Sequence, residues 1–172
     1  MKVRAALASL AAGAALISVA APQADAVTYG LRWPTRTVYV YVDATVSSRW
    51  YVTKDLAQWS AAGGIDVYRT SDPTKAQIRV HQRDLPSPTA AQTALAWSGS
   101  TLVGADITLD STMVSSTYCS RRHTATHELG HALGLDHNTT SKTSIMFVGA
   151  GAVCSYVPNS YDYADVRAIY PY

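Results

Sequence analysis

The chain has 172 residues, 48% of them hydrophobic and 15% charged. That suits one ordinary domain with a packed core and excludes intrinsic disorder. A net charge of +2 from 14 basic and 12 acidic residues, with no basic run, gives no footing for nucleic-acid binding.

Lys2 and Arg4 precede a run of small and apolar residues over 5–21, which Pro22 ends before Ala24-Asp25-Ala26. Positive n-region, apolar h-region and small-x-small site predict a secretory signal cleaved after Ala26. A membrane anchor is the weaker reading, since the run falls short of the ~20 residues that span hydrocarbon. The mature chain, 27–172, holds no repeat, low-complexity tract or linker and reads as a single domain.

Residues 37–42 are β-branched and aromatic and predict a strand. Val52, Leu56 and Trp59 recur at helical spacing and predict an amphipathic helix over 47–61, ended by Gly63-Gly64. Short strands are expected at 65–68 and 77–80, a proline-containing loop at 84–89, and two more strands at 93–97 and 105–109. A helix is expected over 121–133, an irregular segment over 139–158, and a closing helix over 161–169 with Ser160 as its N-cap. Strands crowd the first half and helices the second, so the fold class is α/β. In an exported chain Cys119 and Cys154 are expected to pair, closing a loop of about 35 residues worth about 3–4 kcal/mol.

Chemistry concentrates in one stretch. Glu128 is the only glutamate, and four of the five histidines fall between 123 and 137. In His127-Glu128-Leu129-Gly130-His131-Ala132-Leu133-Gly134-Leu135-Asp136-His137, residues 127 and 131 share one helix face and can aim two imidazoles at one point. Zinc takes such ligands tetrahedrally, and a catalytic site keeps one position open. His123 lies on the same face but ~12 Å from His131 along the axis, too far to share one ion. A left-handed Gly134 can end the helix and fold His137 back as third ligand. Glu128 can reach the activated water without binding the metal. A chance match of these five positions has odds on the order of one in a million, so accident is not the explanation.

The pattern H-E-x-x-H-x-x-G-x-x-H resembles the signature of the metzincin zinc endopeptidases, whose methionine turn would here be Met146. Stretches 56–60, 76–80, 95–97, 104–107 and 162–170 make the chain most similar to a matrixin (matrix metalloproteinase-like) catalytic domain. The resemblance implies a zincin-like fold: a twisted, mostly parallel five-stranded sheet with 93–97 as antiparallel edge strand, an active-site helix and a C-terminal helix. It also implies that Asp162 supports the methionine turn and that one zinc ion is the cofactor. His123, with Val148 and Gly149 on the outer wall of 148–153, would face the substrate side chain after the scissile bond.

The departures carry expectations of their own. Ala96-Trp97 and Ile107-Thr108 stand where two family histidines belong and leave His81 alone, so no structural zinc is expected. Asp110 lacks the acidic run of a calcium site. Tyr161 stands where an aspartate usually anchors a trimmed N-terminus. Val148 excludes the astacin tyrosine, and no cysteine-switch propeptide is expected. The implied partners are polypeptide substrates and a proteinaceous inhibitor, with no membrane partner for the mature, monomeric chain. Asn138 opens a glycosylation sequon. The competing reading is a secreted zinc-binding module without catalysis, which would keep the histidines but has no use for Glu128.

Overall fold

Strands β1 (Thr37–Val42), β2 (Asp66–Thr70), β3 (Ile78–Arg83), β4 (Ala91–Ser98) and β5 (Thr101–Asp110) form one mixed sheet in the computed structural model, which describes residues 27–148, 150 and 153–171. The order is β2-β1-β3-β5-β4. All pairings are parallel except β4 with β5, so β4 is the antiparallel edge strand expected of residues 93–97. Period-two alternation sends Val38, Val40, Ile78, Val80, Ile107 and Leu109 into the core. The expected signal segment, 1–26, lies outside the described residues.

Of the three helices, α1 (Val52–Ser60) and α2 (Tyr118–Ala132) pack against this sheet, and α3 (Ser160–Ile169) closes the chain. The continuous helix expected over 47–61 is instead broken. A 3₁₀ turn at Ser48–Trp50 precedes Tyr51, which is left-handed at φ 59°, and α1 starts after it. The break puts Trp50 fully inside the core, while Val52, Leu56 and Trp59 keep their own buried stripe. Helix α2 starts three residues earlier than expected, because Thr117 caps it by accepting from the Ser120 amide. The cap of α3 is Asn159, not Ser160. Asn159 accepts from the Tyr161 and Asp162 amides, and Asp162 accepts from the Asn159 amide, a reciprocal capping box.

Two tryptophans fix α2 in place. Trp59 Nε1 donates to the Thr126 carbonyl at 3.1 Å and Trp33 Nε1 to the Ala132 carbonyl at 2.9 Å. The buried Asp55 carboxylate accepts from Arg122 Nε at 2.9 Å, tying α1 to α2. The Cys119–Cys154 disulfide joins the first turn of α2 to the segment before α3.

Residues 27–33 form an arm for which no element was predicted. Tyr29 donates its amide to Gly134, Asp136 donates to Val27, and Arg32 exchanges bonds with Ser100 and Leu102 at the β4–β5 hairpin. Val27 also donates its amide to Asp165, whose carboxyl is pushed up to about 6 mainly by burial. Tyr161, at the family's usual anchoring position, is 53% exposed, so the arm is held one helical turn further along. No helix among the described residues is long and apolar enough to cross a membrane.

Candidate metal centre

The last two turns of α2 carry His127 and His131 on one face, and the turn that follows supplies the third imidazole. Gly134 has φ 93°, and a Cβ there would lie 2.4 Å from the Leu31 carbonyl oxygen. Only glycine fits this close, left-handed position. The chain then reverses, and one donor atom from each of His127, His131 and His137 comes within 4.8 Å of the others. His123, one turn before His127, does not join them. Its ring stacks 6.1 Å from that of His127, and its Nδ1 lies 2.6 Å from the Ser155 carbonyl oxygen.

The donor set fits a metal ion. His127 Nδ1 lies 2.8 Å from the Ile145 carbonyl and His131 Nδ1 2.9 Å from the Leu135 carbonyl. Each carbonyl fixes a proton on Nδ1 and leaves the Nε2 lone pair as the ligand atom. Nε2 of His131 is 3.0 Å from Nε2 of His137, an approach that suits two lone pairs sharing one cation. Burial, with the neighbouring His131, holds His127 down to about 3, and burial also lowers His131. Both therefore stay neutral at ordinary pH, as metal ligation requires.

The floor of the site is Met146, 1% exposed. A Cβ on Gly130 would meet Met146 Sδ at 2.4 Å and Trp59 Cζ2 at 2.9 Å, so the absence of a side chain lets this turn press against α2. Asp162 holds the turn: its carboxylate accepts from Ser144 Oγ at 2.5 Å and from the Ile145 amide at 3.1 Å. Asn138 is buried, with Oδ1 accepting from the Thr140 and Ser141 amides, and so the sequon presents no exposed asparagine side chain.

Glu128 is 7% exposed, and burial pushes its carboxyl up, partly offset by a hydrogen bond from Thr93 Oγ1 at 2.6 Å. It lines a cleft of about 650 Å³ together with His131, His137, the β4 residues Thr93, Leu95 and Trp97, and Tyr29 and Leu31 of the arm. His123 and Val148 are not among its walls, and Gly149 lies outside the described residues. Val148 is 40% exposed. His81 pairs with Asp106 at 3.3 Å. Asp110 accepts from the Leu85 and Thr112 amides.

A family model described as Matrixin, a peptidase family, matches residues 43–171. The chain belongs to the matrixin family. Solved structures share the fold of this matrixin at low identity. Myroilysin is 15% identical over 85% of this chain and 98% of its own, with a TM-score of 0.62. A chain of the ECX AB5 holotoxin in its GM1-bound form is 16% identical over 78% of this chain and 80% of its own, with a TM-score of 0.58. No curated protein matches the matrixin by sequence. Membership of a family of zinc metallopeptidases supports a metallopeptidase, and His127, His131 and His137 could hold its metal ion.

Two residues at the site escaped the sequence reading. Tyr29 Oη stands 3.1 Å from His131 Nδ1, and Thr93 bonds Glu128. Neither belongs to a spacing motif. An alternating strand with one hydroxyl facing the helix would have been the only signal for Thr93.

Proposed function

We propose that this matrixin is a secreted zinc endopeptidase that hydrolyses peptide bonds of extracellular proteins. His127, His131 and His137 would hold the ion, which supplies Lewis acidity to activate a water and polarise the scissile carbonyl. Glu128 takes the proton of the attacking water on its carboxylate and delivers it to the departing amine nitrogen. Its raised pKa suits both halves of that transfer. Met146 supports the ligands from below, and Asp162 holds Met146 in place. His123, whose ring stacks on that of His127, and Val148 lie outside the β4 cleft and are proposed to meet the side chain after the scissile bond. An exported chain with one disulfide fits an oxidising compartment.

The observation that carries the reading is a juxtaposition. Two of the three clustered histidines, His131 and His137, and one buried carboxylate line a cleft whose other wall is an edge strand. An extended peptide can add to β4 by backbone hydrogen bonds, which brings its carbonyls past Glu128 in a regular array. The test is digestion of an unfolded protein by the secreted chain, with chelator and zinc add-back. Zinc-dependent cleavage at internal bonds is expected, and a chain that binds zinc but cuts nothing would refute the proposal.

A further inference from the structure

Thr93 sits mid-strand in β4, paired with Ile107 of β5 on one side. Its hydroxyl reaches α2, where Oγ1 lies 2.6 Å from Glu128 Oε2 and 3.1 Å from the Glu128 carbonyl oxygen. A hydroxyl has a single proton to donate, and the shorter contact, to a charged acceptor, takes it. Glu128 Oε1 makes no hydrogen bond to a described residue, so one carboxylate oxygen is tethered and the other is left for chemistry.

A glutamate otherwise has three rotatable bonds, and fixing them costs rotamer entropy. A general base must stand within ~2.6–3.2 Å of the proton it takes, and so the carboxylate has to be ordered before substrate arrives. Thr93 is suited to that task. Its β-branch leaves few side-chain rotamers, and its backbone is locked in the sheet. It also belongs to the strand that would take the peptide, so base and substrate would be referred to one rigid element.

We propose that Thr93 is a positioning residue for Glu128, its hydroxyl anchoring Oε2 so that Oε1 is presented to the attacking water. The proposal rests on the endopeptidase reading above and adds a residue to its machinery.

The test compares the secreted wild-type protein with Thr93→Val, which keeps shape and loses the hydroxyl, and Thr93→Ser, which keeps the hydroxyl. Each is checked for zinc content and assayed on one fluorogenic peptide. For Thr93→Val, kcat is expected to fall about 10–100-fold with KM within about 2-fold, whereas Thr93→Ser stays within about 3-fold of wild type. A second readout needs no turnover. Glu128 is the sole glutamate, so ¹³C labelling of the glutamate carboxyl gives one resonance. That resonance should move in the valine variant and return in the serine variant.

Unchanged kcat in Thr93→Val overturns the proposal. So does a rise in KM alone, a serine variant as slow as the valine one, or a resonance identical in all three. If wild type turns over no peptide, the endopeptidase reading falls and the positioning role falls with it, whatever the resonance does.

Discussion

The hydroxyl of Tyr29 stands 3.1 Å from Nδ1 of His131, whose Nε2 faces His137. Burial, with the nearby Asp136 and Glu128 carboxylates, pushes this phenol up to about 12, so it keeps its proton throughout the working pH range. Its oxygen can accept a share of the Nδ1 proton that the Leu135 carbonyl also takes, and so the N-terminal arm adds an outer partner to a proposed zinc ligand. Such partners orient the ring, and their loss typically weakens metal binding about 10–100-fold. Tyr29→Phe is expected to lower zinc affinity about 10-fold in competition with a chromogenic chelator, with an unchanged circular dichroism spectrum. Equal affinity would remove Tyr29 from the account.

Gly130 is the contact between helix and methionine turn. Gly130→Ala forces a methyl into Met146 Sδ and the rigid Trp59 ring, and the buried methionine must repack to make room. Overpacking of this kind costs about 1–3 kcal/mol. A lower urea midpoint together with weaker zinc retention is expected. A variant as stable as wild type would mean that the turn does not bear on α2.

Asp162 accepts three hydrogen bonds, from Ser144 Oγ, the Ile145 amide and the Asn159 amide. In Asp162→Asn the amide nitrogen can take the place of Oδ1, where Ser144 Oγ must turn to accept, and all three bonds lose their charged acceptor. The loss is about 2–3 kcal/mol, measured by denaturant unfolding. Because the same carboxylate caps α3 and holds the methionine turn, zinc affinity should fall too.

The histidines give the metal-free protein a defined pH dependence. His127 binds its proton only near about 3 when folded, against about 6.5 when unfolded. Between those values the unfolded state holds more protons, and stability falls as pH falls, by about 1.4 kcal/mol per pH unit from this group. His131 is lowered by burial and acts in the same direction. Chelated wild type should lose urea midpoint from about pH 7 to about pH 5, and His127→Gln should lose less. Equal slopes would show that His127 is not buried neutral.

What the sequence shows of this molecule follows the range of each interaction. The three-histidine cluster is legible because four-residue helical spacing and a glycine turn are local facts, and both survive folding. The edge strand is legible from alternation together with the family pattern. Tyr29 and Thr93 are not, since their partners lie 102 and 35 residues away and no period marks them. The break at Tyr51 is hidden for another reason. The apolar stripe of α1 gives no sign of it, and the turn at the left-handed Tyr51 accompanies the burial of Trp50. At the start of α3, two adjacent polar residues compete for the cap, and Asn159 prevails because Asp162 can answer it.

The central claim is that Glu128 converts a zinc-binding cleft into a peptidase. The secreted wild type and Glu128→Ala, brought to equal zinc content, would be compared on a quenched fluorescent peptide library. Wild-type cleavage should vanish with chelator and return with zinc, while Glu128→Ala binds zinc equally and cuts at least ~10²-fold more slowly. Equal zinc binding with no cleavage by either protein, or with equal cleavage by both, would contradict it.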